Sequence, residues 1–237
     1  MSVKAVIFDK DGTVLDFDGF WLPVAVKATK IIMSKLGVID VPSAAVLKSM
    51  GVVDGIASIK GSLCFGTYRD MAEDMNSVFK KYGYSFDTDM LTELTVDAYH
   101  GSIDAGEIKP TCPNIEEVMQ YLKSKDIKIV LVTSDGPAVT AECLKGLKID
   151  KYFDVVFTDD GTHPNKPDPF MINKLCEDYG FSKSEVVMVG DTLADMNFAI
   201  NGGIRSVGLA KSEENKAILL EKTDTVVPDI SYLNTVI

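Results

Sequence analysis

Ala5-Val6-Ile7-Phe8-Asp9-Lys10-Asp11-Gly12-Thr13 decides the fold. Four apolar residues run without polar alternation and stop at a carboxylate. That is the pattern of a strand covered on both faces, as in a parallel sheet flanked by helices. Residues 127–132, 152–157 and 186–189 repeat it, and residues 206–209 form a weaker version. Helical patterns lie between these runs. Ile115, Val118, Met119 and Leu122 recur at one-turn spacing. Residues 168–179 begin after Pro167 and stop at Gly180, residues 194–200 stop at Asn201-Gly202-Gly203, and residues 213–221 follow the weaker strand. Strand-helix alternation of this kind predicts an α/β fold: a doubly wound, Rossmann-like parallel sheet with right-handed crossovers.

The middle of the chain breaks the alternation. Between about residues 20 and 103 no buried-strand run occurs. Helical stretches are predicted at roughly 21–36, 68–82 and 88–99, separated by turn signals at Gly37, Pro42, Gly61-Ser62, Gly83 and Gly101. The expected organisation is a core of residues 1–18 and 108–237, with an all-helical domain of residues 19–107 inserted after the first strand. A length of 237 residues suits a core plus an insert.

The residues that follow each strand carry the chemistry. Strand one ends in Asp9-Lys10-Asp11, strand two in Thr133-Ser134, and strand four in Gly190-Asp191 with Asp195 one helical turn on. Lys166-Pro167 follows strand three. Open α/β sheets bind ligands outside the carboxyl ends of their strands, so these groups should converge. Taken singly, the aspartates also read as turn residues, Thr133 and Ser134 as a strand-end cap, and Lys166 as a surface charge. Together they read as a site. Clustered carboxylates repel, and a divalent cation relieves them. Oxygen ligands without nearby His or Cys favour Mg²⁺ over zinc. Mg²⁺, a lysine and a hydroxyl suit a phosphoryl group, and a carboxylate can attack phosphorus to form an aspartyl-phosphate.

Phe8-Asp9-Lys10-Asp11-Gly12-Thr13-Val14 resembles the first motif of the haloacid dehalogenase-like phosphohydrolases. Val132-Thr133-Ser134, Lys166-Pro167-Asp168-Pro169 and Val189-Gly190-Asp191-Thr192-Leu193-Ala194-Asp195 follow in that family's order. The insertion lies where the helical cap of the phosphoglycolate phosphatase and β-phosphoglucomutase group lies. The resemblance implies Asp9 as nucleophile and metal ligand. It implies Asp11 as general acid and then general base, offering Mg²⁺ its backbone carbonyl. It further implies phosphate contacts from Gly12, Thr133, Ser134 and Lys166, with Lys166 also paired to Asp9. Asp191 would bind Mg²⁺ directly, and Asp195 through water or Lys166. A helical cap would close over the site and read the leaving group. The aromatic stretch at Phe17, Phe20 and Trp21 departs from the small residues usual after the first motif.

A carboxylate at position 11 points to a phosphomonoesterase or a phosphomutase. The expected activity is Mg²⁺-dependent hydrolysis of a small phosphorylated metabolite. The alternative is a sugar phosphomutase of the β-phosphoglucomutase type. A signalling receiver is a further rival, since Thr158-Asp159-Asp160 closes the third strand, but receivers are shorter and lack Asp-x-Asp-Gly-Thr. A formal charge of −11 argues against nucleic acid or an anionic membrane as partner. Four scattered cysteines, no spanning apolar run and no secretory leader lead to the expectation of a soluble cytoplasmic protein, monomer or dimer.

Overall fold

Strand β1 (Ala5–Phe8) is fully buried along its length, as its unbroken apolar run requires. The computed structural model describes residues 2–237. After β1 the chain enters helix α1 (Phe17–Lys35), then α2 (Ser43–Ser49), a short ladder of β2 (Val52–Val53) and β3 (Ile56–Ala57), α3 (Ser62–Phe65), α4 (Tyr68–Lys81) and α5 (Thr88–His100). It then continues through α6 (Ile115–Ser124), β4 (Lys128–Val132), α7 (Pro137–Gly146), β5 (Val155–Phe157), α8 (Phe170–Tyr179), β6 (Val186–Gly190), α9 (Leu193–Gly202), β7 (Arg205–Leu209), α10 (Glu213–Leu219) and β8 (Val226–Val227).

The six strands of the main sheet run β5-β4-β1-β6-β7-β8, all parallel. The order climbs outward from β1 in both directions, which is the doubly wound arrangement. Its switch point lies where β1 passes to β6. Residues of one parity (Ala5, Ile7, Val130, Val132, Val186, Met188) pack with Met171, Ile172 and Leu175 of α8 and Phe198 and Ala199 of α9. Residues of the other parity (Val6, Phe8, Ile129, Leu131, Val187, Val189) are equally buried.

Contacts divide the chain into two units, one running through Asp16 and resuming at Ile108–Ile237, the other Phe17–Glu107. The break falls two residues before the sequence boundary, because α1 already begins at Phe17 and carries Phe17 and Asp18 with the insertion. The inserted unit is built on Val24, Ala28 and Ile32 of α1, Val46 of α2, Met71, Met75 and Phe79 of α4, and Leu91 and Tyr99 of α5. A Thr67–Asp70 capping box starts α4, and Asp87 caps α5 by accepting from the Met90 amide. The insertion is helical except for the β2–β3 ladder. Two strands of two residues each are too short for any periodicity to reveal.

Several boundaries differ by a few residues from the sequence reading, and two of them have a visible cause. Residues 150–152 form a 3₁₀ turn, and β5 begins only at Val155. Asp154 intervenes: its carboxylate accepts from the Ile129 amide at 2.8 Å and pairs with Lys123 and Lys128. As an edge strand β5 is not covered on both faces, and Val156 is 43% exposed. Helix α8 starts at Phe170, two residues late, where the Phe170 amide donates to Asp168 Oδ1 at 2.9 Å.

Candidate active site

The parallel register places the functional residues side by side. Phe8 pairs with Leu131 of β4 and with Val189 of β6. One residue further on, Asp9 emerges between the exits of both strands, and its amide donates to the Val189 carbonyl at 3.0 Å. The chain then folds back tightly. The amides of Val14 and Leu15 both donate to the Lys10 carbonyl at 2.9 Å, and the Gly12 amide donates to the Leu15 carbonyl at 2.8 Å. Gly12 has φ +77°, and a Cβ there would lie 2.0 Å from Asp191 Oδ2. Only glycine satisfies both the left-handed backbone and this close approach.

Asp9, Asp191 and Asp195 come together with one oxygen of each within 4.8 Å of the others. Lys166 reaches into this group. Its Nζ donates to Asp9 Oδ1 at 2.5 Å and to Asp195 Oδ1 at 2.7 Å. Asp195 is fully buried and its second oxygen is also engaged: Oδ2 accepts from the Thr192 amide at 3.0 Å and the Thr192 hydroxyl at 2.7 Å. Asp195 therefore closes the capping box that starts α9 while it anchors the lysine. Gly190 makes this fit, since a Cβ there would lie 2.4 Å from the Asp195 side chain. The Thr13 hydroxyl donates to Asp191 Oδ1 at 3.2 Å.

Three carboxylates face one ammonium, so a fully ionised group carries an excess of two negative charges in a place shielded from water. The Asp9 carboxyl is raised to about 7: burial lifts it most, Asp195 and Asp11 add to that, and Lys166 pulls against them. Burial also lifts Asp191 well above the usual carboxylate range, with Asp9 and Asp195 adding to it. Burial acts against the charge on Lys166, but Asp195 and Asp9 outweigh it and hold the amine protonated. A group of oxygen donors that resists ionisation alone is one that a divalent cation would complete. Asp9, Asp191 and Asp195 could hold such an ion.

Thr133 is buried at the exit of β4, where its hydroxyl accepts from the Asp135 amide at 3.2 Å, and Ser134 beside it is exposed. The Asp11 side chain is held by a second lysine. Its Oδ1 accepts from Lys10 Nζ at 2.7 Å, and Lys10 is also 2.9 Å from Asp135 Oδ2. Neither Lys10 nor Asp135 was singled out in the sequence. The available signal was a lysine at the end of a fully buried strand, since a lysine is almost never buried unless paired. Asp159 and Asp160, the receiver-like pair, are exposed turn residues: their carboxylates accept from the amides of Gly161 and Thr162. Phe20 is buried and stacks edge-on against Trp21 at 5.2 Å, both within the inserted unit.

A doubly wound sheet with a lysine-bridged carboxylate cluster at its switch point is an arrangement suited to a divalent cation and an anionic ligand. The haloacid dehalogenase-like hydrolase model matches residues 3–203. The chain belongs to the haloacid dehalogenase-like hydrolases; it is an enzyme, in the phosphoglycolate phosphatase-like group of phosphoric monoester hydrolases. It is 28% identical over 227 residues to a phosphoglycolate phosphatase of Neisseria gonorrhoeae, covering 96% of this chain and 88% of that protein. It is 27% identical over 243 residues to PpaX, a candidate pyrophosphatase of Caldanaerobacter subterraneus subsp. tengcongensis, covering 100% and 96%. A crystal structure of a predicted phosphoglycolate phosphatase from Haemophilus somnus superposes with a TM-score of 0.75 at 18% identity, covering 99% of this chain and 97% of the other. Among the described residues no helix is long and apolar enough to cross a membrane.

Proposed function

We propose that the protein is a Mg²⁺-dependent phosphatase that hydrolyses a small phosphorylated metabolite through an aspartyl-phosphate. The observation that carries this reading is Asp9: a buried carboxylate at the sheet's switch point, held at one oxygen by Lys166 and crowded by Asp191 and Asp195. Lys166 orients Asp9 and offsets charge on the incoming phosphoryl group. Asp9 attacks phosphorus, forming an acyl-phosphate bond as the ester P–O bond breaks, and Asp11 gives its proton to the departing alkoxide. Water then attacks the phosphorus of the acyl-phosphate. Asp11 takes the water's proton, orthophosphate leaves, and the Asp9 carboxylate is restored. The Thr133 hydroxyl, with Ser134 and the turn at Gly12, supplies donors to phosphate oxygens.

Asp9, Asp191 and the Asp11 carbonyl would hold Mg²⁺, with Asp195 acting behind Lys166. When bound, the ion would neutralise the excess negative charge of the trio and of the phosphoryl group. The inserted helical unit corresponds to the cap that the family resemblance implies. Its aromatic entry at Phe17, Phe20 and Trp21 sits within a helix that packs its own unit, which favours a structural part for Phe20. The four free cysteines suit a reducing cytoplasm.

The relatives' names suggest phosphoglycolate or pyrophosphate as first substrates to try. A screen of phosphorylated metabolites with Mg²⁺, reading released orthophosphate, tests the proposal. Release that ends on chelation supports it. Isomerisation of a sugar phosphate without release would replace the phosphatase with a mutase, and no turnover of any ester would overturn the reading.

A further inference from the structure

Lys10 has no exposed surface, yet its amine ends between two carboxylates. Its Nζ lies 2.7 Å from Asp11 Oδ1 and 2.9 Å from Asp135 Oδ2. Burying an ammonium is costly, and a well-packed apolar side chain would fill the position at lower cost. The charge therefore does more than fill space. Asp135 is itself fixed at both ends of its backbone. Its amide donates to the Thr133 hydroxyl at 3.2 Å, and its carbonyl accepts from the Asp159 amide at 2.9 Å. Through Lys10, the Asp11 carboxylate is tied to the exits of β4 and β5. The Lys10 carbonyl also accepts the two amides that close the turn carrying Asp11.

We propose that Lys10 and Asp135 form a positioning pair that holds the Asp11 carboxylate in one orientation for proton transfer. The inference rests on the reading of Asp11 as acid and base. Lys10 touches no reacting atom in this scheme; it acts by fixing the side chain that does. An aspartate on a turn has two side-chain torsions to lose, and a bridge to a second strand exit removes that freedom before substrate arrives.

The test compares kcat and KM of the wild type, Lys10→Met, Asp135→Asn, Asp11→Asn and the Lys10→Met/Asp11→Asn double variant. The probes are phosphoglycolate, a poor leaving group, and p-nitrophenyl phosphate, a good one. Lys10→Met is expected to lower kcat on phosphoglycolate by about 10²-fold, the cost of a misplaced catalytic group, with KM little changed and a smaller loss on the aryl ester. Asp135→Asn should show a weaker loss with the same preference. In the double variant Lys10→Met should add nothing to Asp11→Asn, because residues acting as a unit are not additive. Equal losses on both esters, or losses that multiply in the double variant, would overturn the positioning role. If Lys10→Met does not fold, Asp135→Asn alone and combined with Asp11→Asn carry the same comparison. If Asp11→Asn itself shows no leaving-group preference, the acid-base reading fails first, and the positioning role falls with it.

Discussion

Two lysines sit at the strand exits, each flanked by two aspartates, and they differ in charge balance. Lys166 pairs with Asp9 and Asp195, but Asp191 stands within the same cluster, so one ammonium faces three carboxylates. Lys10 pairs with Asp11 and Asp135, so one ammonium faces two carboxylates rather than three. The first cluster is unbalanced and shielded, and invites a cation and an anionic substrate. The second is nearly balanced and can stand as it is. Lysine burial alone does not distinguish chemistry from support. The uncompensated charge around the lysine does.

The largest effect should come from the unbalanced cluster. Asp9→Asn removes the nucleophile, and orthophosphate release should fall to the blank while the fold is kept. A rate near wild type would remove Asp9 from the chemistry. Asp11→Asn should cost roughly 10²–10⁴-fold, the usual worth of general acid-base help. The loss should be larger for alkyl than for aryl esters, and phosphoenzyme should accumulate with the aryl substrate in burst kinetics.

Stability should separate the two lysines next. Removing one partner of a buried ion pair costs about 3–5 kcal/mol, and both Lys166→Met and Lys10→Met should lower the unfolding free energy read from denaturant titration by an amount in or just below that range. Saturating Mg²⁺ should recover much of the loss in Lys166→Met, where a cation can replace the missing charge, and little in Lys10→Met. Equal recovery in both would erase the distinction drawn above.

The smallest effect is on pH dependence. Asp9 is held at about 7 and Asp135, raised chiefly by burial and by Asp11, at about 6. Both lie above the roughly 4 of an unfolded chain. Where the folded-state pKa is the higher, the unfolded state gives up its proton first, so stability falls as pH climbs from about 4 to 7. Surface carboxylates held low by their partners, such as Asp70 and Glu116, act with opposite sign only at more acidic pH. Chelated protein should melt lower at pH 8 than at pH 5, and Mg²⁺ should raise the melting temperature more at pH 8, because it binds the ionised trio. A melting temperature that rises from pH 5 to pH 8 without metal would contradict the repulsion attributed to the cluster.

The sheet was legible because β1, β4 and β6 are buried on both faces and carry no alternation to confuse with a helix. The ends of the sheet were not. β8 has two residues, and β5 is an exposed edge whose start is set by Asp154 bonding across to Ile129, a contact remote in sequence. The placing of Asp9, Asp191 and Lys166 followed from one rule, that ligands gather at strand exits. Lys10 and Asp135 escaped that rule because their meeting depends on the register of β1 against β4, which brings the residues after Phe8 alongside those after Leu131. The β2–β3 ladder and α3 were invisible for a simpler reason: segments of two to four residues carry no period.

The double engagement of Asp195 bears on how this chain would decay. A gene copy released from selection for turnover could lose Asp9 while Lys166 keeps Asp195 as its partner, or Asp11 while Lys10 keeps Asp135. Asp195 would be kept, because α9 begins on its capping box with Thr192 and its burial leaves no room for an unpaired substitute. In a degenerate descendant, the survival of Asp195 would record the fold alone, while the state of positions 9 and 11 would date the loss of the enzyme.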